Sequence, residues 1–192
     1  MKAAVSTHTT LLRRLATGND QLAWDEFVQR YGAVVRAVAH RHGLQPADAD
    51  DVLQDTLIGL TRSLPGFEYN PQTAKFRTYL KSIVQRIIFQ RFRQKQSTVG
   101  IELLGALPAA DEADAIWDTE WRQHHLRLAM ETIEIEFSSR DRLVFTLYVG
   151  SQQPPGSIAD ELGISIDLVY KIKSRIMKRL ESVIAAQVEE EG

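Results

Sequence analysis

The stretch "SIADELGISIDLVYKIKSR", residues 157–175, reads as a short helix, a glycine turn and a second helix that becomes basic as it proceeds. Ser157 with Asp160 has the spacing of a capping box, in which side chains at positions three apart satisfy the free N–H groups of a helix start. Gly163 suits the left-handed residue that ends a helix, and Ser165 is placed to cap the helix that follows. Ala159, four residues before Gly163, is small enough for two helices to cross closely, while Val169 and Ile172 face back toward a core. This is helix-turn-helix spacing. From Ser165 to Glu181 the second helix would be about 25 Å long, with Tyr170, Lys171, Lys173, Ser174, Arg175, Lys178 and Arg179 on its exposed face. Such a helix enters the DNA major groove by its amino-terminal part, so Lys178 and Arg179 lie where phosphate rather than a base edge is in reach. The alternative is a helical hairpin that only packs, its basic residues solvated.

The helical period extends outward from this segment. Trp24, Phe27, Tyr31, Val34 and Val38 recur at spacings of three and four, as do Leu53, Leu57, Leu60 and Leu64, and then Phe76, Leu80, Ile83 and Ile87. These predict three helices of a first bundle. Pro46 stands where a helix can begin, and "SLPGFEYNPQT", residues 63–73, is a loop by its Pro65, Gly66, Asn70 and Pro71. Residues 96–115, with two glycines, a proline and acids without a clear period, read as a linker. A second helical set follows, with Ile116, Trp117, Trp121 and Leu128 on one face, then a helix capped by Ser138 and Asp141 that carries Leu143, Val144, Leu147 and Tyr148. No alternating run competes for a strand. The expected class is all-α, two small helical domains joined by a linker: residues 1–95, a linker at 96–115, and a helix-turn-helix domain at 116–192.

Charge is unevenly placed. The 192 residues carry a net charge of -2, yet from Lys75 to Lys95 there are seven Lys or Arg and no acid. From Glu102 to Glu120 there are six acids and no base. Separate surfaces for separate partners would produce such blocks; an ordinary solvated helix face followed by a polar linker would as well.

A second informative stretch is "DADDVLQDTLIGL", residues 48–60. Asp48, Asp51 and Asp55 follow spacings of three and four and share one helix face, with Gln54 beside them and Val52, Leu53 and Leu57 turned inward. Like charges at this spacing cost a few tenths of a kcal/mol each, and acids near a helix start recover part of it through the dipole. A plain helix start accounts for Asp48 and Asp50 but less well for Asp55. A basic protein surface accounts for the whole face better than a divalent metal, because no histidine is spaced to complete a metal site.

Other chemistry finds little support. There is no cysteine, hence no disulfide, thiol nucleophile or thiolate zinc site. His40 and His42 are two apart and His124 and His125 adjacent, neither of them ligand spacing on a helix. Phosphate-cradling glycine motifs and nucleophile elbows are missing, and Trp117 with Trp121 reads as core. Neither an enzyme nor a cofactor is expected. With no apolar run of about 20 residues and no signal-peptide core at the start, the expected location is cytoplasmic.

With these residues in view, "DADDVLQDTL" resembles the conserved-region-two helix of bacterial sigma factors, which binds core RNA polymerase. "KFRTYLKSIVQRIIFQRFRQK", residues 75–95, resembles the basic and aromatic helix that follows it, and the carboxy-terminal helix-turn-helix resembles region four. Two domains with a short linker are the layout of the extracytoplasmic-function (ECF) group of the sigma-70 family, and the resemblance covers about residues 20–185 in order.

The resemblance implies a transcription initiation factor that binds core RNA polymerase and directs it to promoter DNA. Asp48, Asp51, Gln54 and Asp55 match the polymerase-binding motif. The loop with Phe67 and Tyr69, and the helix with Lys75, Arg77, Tyr79, Lys81, Arg86 and Arg91, match the surface that recognises and helps melt the minus-ten element. Melting takes bases out of the stack, and aromatic stacking with a basic groove would hold the strand. Phe76, on the same helix, reads better as core. Ser165, Tyr170, Lys171, Lys173, Ser174, Arg175, Lys178 and Arg179 match the minus-thirty-five reader. An anti-sigma factor is an implied partner. Tyr79 stands where the family usually has tryptophan, Arg86 where it has asparagine in the flipped-base pocket, and Leu168 where threonine is common, so base preferences do not carry over. The segment "GSQQPPGS", 150–157, is about two residues longer than the usual approach to the helix-turn-helix. From other classes, a freestanding dimeric helix-turn-helix regulator and an interaction protein without a DNA role remain as alternatives.

Overall fold

The computed structural model describes residues 8–18, 20–64, 75–99 and 109–191. These form helices α1 (His8–Ala16), α2 (Gln21–Arg41), α3 (Pro46–Ser63), α4 (Phe76–Val99), α5 (Ala110–Glu136), α6 (Ser139–Phe145), α7 (Pro155–Leu162) and α8 (Ile166–Glu191), with a wider π turn at Thr146–Gly150 after α6. There is no strand among the described residues, so the class is all-α. The chain divides into two compact units, one running to His124 and including the chain end from Glu190, and one from His125 to Glu189.

In the first unit each helix starts for a local reason. Asp20 caps α2 by accepting the Ala23 N–H at 2.9 Å, and Arg14 holds that carboxylate at 2.7 Å. Between α2 and α3 the chain reverses through Gly43 at φ 84°, a left-handed conformation open to glycine. Pro46 then opens α3, its fixed φ suited to the first helical position. The apolar stripes read from sequence meet in one core: Phe27, Tyr31, Val34, Val38, Leu60, Phe76, Leu80 and Ile88 are all buried. Phe76 is therefore core, as its spacing suggested. Phe27 and Tyr31 lie 5.1 Å apart between ring centroids, Tyr31 and Phe76 5.3 Å, and Tyr31 and Trp121 5.9 Å in a stack.

That last pair alters the expected domain limits. Trp117 and Trp121, placed by sequence at the start of the second domain, belong to the core cluster of the first unit, at 0% and 3% exposure. The helical ranges of α4 and α5 also take in 96–99 and 110–115, which were expected to be linker. Two large rings on one helix face bury more apolar surface than residues 110–115 could offer as free chain, and they draw the opening turns of α5 into the bundle.

The second unit is built around Ile133, Val144, Ile158, Val169 and Ile176, all with no exposure. Ser138 caps α6 by accepting the Asp141 N–H at 3.1 Å. The expected cap at Ser157 is not formed: α7 begins at Pro155, two residues earlier, and Ser157 lies within it. Proline at the first helical position removes one of the free N–H groups of the helix start, and Ser157, now inside the helix, no longer stands at a capping position. Gly163 ends α7 at φ 60° and ψ 44°, and the Ile164 N–H donates to the Ala159 carbonyl at 3.0 Å. Ser165 then caps α8 by accepting the Leu168 N–H at 3.1 Å. This helix does not stop at Glu181 but continues to Glu191, because Val183 and Ile184 carry the apolar stripe onward to the same core.

Two substitutions test these causes. Gly163→Ala places a side chain in a left-handed conformation without any clash, since nothing lies within 4 Å of the added carbon; the expected loss is about 1–2 kcal/mol, read by urea denaturation. Trp117→Ala empties a fully buried site and should cost about 3–5 kcal/mol by the same measurement.

Candidate functional site

The acidic face of α3 forms as its spacing required. Ala49, Val52, Leu53 and Thr56 are buried, which leaves Asp51 and Gln54 exposed and Asp48 and Asp55 half-buried at the surface. A cation from the neighbouring helix lies between two of the carboxylates. Arg91 of α4 reaches Asp51 at 2.9 Å and Asp55 at 2.5 Å. Partial burial disfavours its charge, but the hydrogen bonds to Asp55 and Asp51 outweigh this and raise its pKa. Arg36 of α2 pairs in turn with Asp50 at 2.6 Å. Arg91, which the resemblance assigned to the minus-ten surface, is thus tied to the acidic face. It spans two carboxylates that would otherwise repel each other four residues apart.

The remaining α4 residues divide between two flanks. On one, Arg77 pairs with Asp118 of α5, and Lys81 with Asp114 at 2.7 Å. Gln85 donates to the same Asp114 at 3.2 Å, and the hydrogen bonds from Lys81 and then Gln85 hold that carboxyl below the usual range. Further along α5, Glu120 binds Arg41 of α2 at 2.9 Å. The basic and acidic blocks of the sequence therefore meet each other over α4 and α5. On the other flank Arg86 is exposed and, with Arg62 of α3, lines a groove of about 350 Å³ between α3 and α4 that also takes in Gln90 and Gln94. Lys75 is exposed just before α4, while Tyr79 is half-buried, its hydroxyl against that of Ser63. Phe67 and Tyr69 lie outside the described residues. Arg62 was not singled out from sequence; its place at the end of α3, one turn beyond Ile58, was the available signal.

The helix-turn-helix gathers the third set on α8, but its members differ in what they touch. Ser165 is the helix cap. Tyr170 is exposed at its outer edge and packs edge-on to Tyr148 at 6.0 Å. Lys171 meets Asp167 at 2.8 Å with both side chains 72% exposed, an attachment water and salt easily loosen. Arg175 binds Asp141 at 2.5 Å and lies over the Phe137 ring, and Arg179 binds Glu136 at 2.6 Å. These two arginines brace α8 against the end of α5 and the start of α6. Ser174 and Lys178 are exposed, and Lys173 is half-buried. Sequence reasoning passed over Ile166 and left Leu168 as a mere departure; both are exposed in the first turn of α8, at 48% and 39%. Apolar side chains there suit the methyl group of thymine.

No group of three or more His, Asp or Glu among the described residues is placed to hold a metal ion. None of the described helices is long and apolar enough to cross a membrane.

Residues 27–98, from within α2 to the end of α4, match the family Sigma-70 region 2. The RNA polymerase sigma factor CnrH of Cupriavidus metallidurans is 29% identical over 187 residues, covering 93% of this chain and 95% of that protein. The RNA polymerase sigma factor NccH of Alcaligenes xylosoxydans is 28% identical over 188 residues, with the same shares covered. The solved structure of CnrH in complex with the cytosolic domain of CnrY is 21% identical, covers 94% of this chain and 99% of that one, and has a TM-score of 0.38. The region-two match falls on the helices that carry the acidic face and the basic helix, so residues 27–98 are a Sigma-70 region 2, and the chain is similar over nearly its whole length to two RNA polymerase sigma factors.

Proposed function

We propose that this transcription initiation factor uses three surfaces in concert. The α3 face with Asp48, Asp51, Gln54 and Asp55 docks on a basic surface of core RNA polymerase. Helix α4, with the loop that precedes it, holds the melted strand of the minus-ten element. The amino-terminal part of α8 enters the major groove at the minus-thirty-five element. An anti-sigma factor that competes for these surfaces is part of the proposal; the relative CnrH has been solved in complex with the cytosolic domain of CnrY.

The observation that carries this reading is the outward presentation of Asp51 and Asp55 on a helix within the region-two match. Carboxylates that stay partly open to solvent beside Arg91, set at a fixed spacing by a buried stripe, suit electrostatic steering onto a basic partner. For the strand, Lys75 and Arg86 are the exposed cations of the assigned set, and Arg62 extends them across the groove. For the duplex, the exposure of Tyr170, Lys171, Ser174, Leu168 and Ile166 on the first turns of α8 supports their reading base edges, and the position of Lys178 farther along supports a phosphate contact.

Co-elution with sigma-free core polymerase at moderate salt tests the first surface. The wild type should co-elute, and Asp51→Arg should weaken binding by about tenfold or more, a like charge having been set against a basic partner. Should neither protein bind while the chain folds and dimerises, the polymerase reading fails and an operator-binding regulator replaces it. On duplex DNA with a minus-thirty-five element, Lys178→Ala should weaken all sequences alike and reduce the log-log salt slope by about 0.9. A change of sequence preference would contradict a phosphate role.

A further inference from the structure

Arg77, Lys81 and Gln85 recur every fourth residue and so form one flank of α4. Helix α5 faces that flank in the opposite sense, since Asp118 meets the earlier Arg77 and Asp114 the later Lys81. Carboxylates four residues apart on a helix are separated by about 6 Å along its axis, a repeat close to that of phosphates along an extended strand. The α4 flank thus meets anions in a row, spaced as a nucleic-acid backbone would space them.

These anions are not held in place by their own ion pairs. The four side chains of the two pairs are 22–56% exposed, and pairs of that kind contribute about 0–1 kcal/mol each. Trp117 lies between Asp114 and Asp118 in sequence, and with Trp121 it is buried against the aromatic core. Rings of that size fix a helix several times more strongly than surface charges do. The acids therefore stay beside the α4 cations even when a pair is momentarily broken, at the high effective concentration of a tethered group.

We propose that the opening turns of α5 act as a built-in competitor of the DNA strand for Arg77 and Lys81, so that the free chain keeps one flank of α4 occupied and leaves only the Arg86 flank open. The inference rests on the reading that α4 binds a strand. Its consequence is weak binding of single-stranded DNA by the free chain, with fewer ions released than the cations of α4 would allow.

The test is binding of a short fluorescein-labelled single-stranded DNA to the full chain, by anisotropy over a range of salt. Asp114→Asn/Asp118→Asn should bind about tenfold tighter at low salt, and its log-log salt slope should steepen by about 1.4, or about 0.7 for each of two phosphates newly neutralised. Asp114→Asn alone should give part of the gain, and adding Lys81→Ala to the double variant should remove most of it. Glu131→Gln/Glu134→Gln makes the same net-charge change on exposed residues of the second unit and should stay within about twofold of wild type. Equal affinity of wild type and double variant, or an equal gain in the Glu131/Glu134 control, overturns the competitor. If Arg86→Ala weakens binding while the double variant shows no gain, the strand surface stands and the competitor alone falls. If neither Arg86→Ala nor Lys81→Ala alters binding in any background, both fall together.

Discussion

The first unit depends on the packing of buried rings from three helices, Phe27 and Tyr31 of α2, Phe76 of α4 and Trp121 of α5, with Trp117 one turn before it. Each helix must turn its aromatic face to the others, and the opposite faces are then committed in direction. The inward set of α4 leaves Arg77 and Lys81 on one side and Arg86 on the other; the two tryptophans of α5 leave Asp114 and Asp118 toward α4. Charge placement at this surface is a result of packing, not a cause of it, because each ring is worth several times what any one surface ion pair contributes.

Electrostatics then arranges what the packing has presented. Arg91 satisfies two α3 carboxylates at once, and a guanidinium does this better than an ammonium because its fork offers several donors in one plane. The same preference recurs in the second unit, where Arg175 and Arg179 brace α8 while Lys171 and Lys178 stay toward solvent. Arg91, Arg175 and Arg179 are committed to contacts within the fold, whereas Arg86 and Lys178 face outward. A basic helix is therefore not uniformly available to DNA, and a partner meets the residues that the fold has left uncommitted.

Much of the fold was legible in the sequence, since the apolar stripes of α2, α3 and α4 and the glycine turn of the helix-turn-helix are local patterns. The caps at Ser138 and Ser165 and the left-handed Gly163 formed as their spacing suggests. Ser157 did not, because the helix begins at a proline two residues earlier and the serine falls inside it. The membership of Trp117 in the first unit was not legible, as a long-range packing choice leaves no mark in a periodicity both units share. The site divides the same way: the face of Asp51 and Asp55 follows from spacing on one helix, whereas the pairing of Arg91 with it, and of Lys81 with Asp114, depends on which helices become neighbours. Charge blocks opposite in sign and adjacent in sequence do carry a hint of that pairing. Here the hint could be read equally as two partners.

The tryptophans have an optical consequence. All three of the chain, Trp24, Trp117 and Trp121, fall in the first unit, and the second has none. Indole emission therefore reports on the surroundings of the aromatic core and of the α5 opening alone. Tyr148 and Tyr170, edge to face in the second unit, lie beside the exposed start of α8 but share their emission band with the tyrosines of the first unit. An unlabelled chain thus carries an indole reporter confined to one half of the molecule, so unfolding of the first unit is read without a contribution from the second.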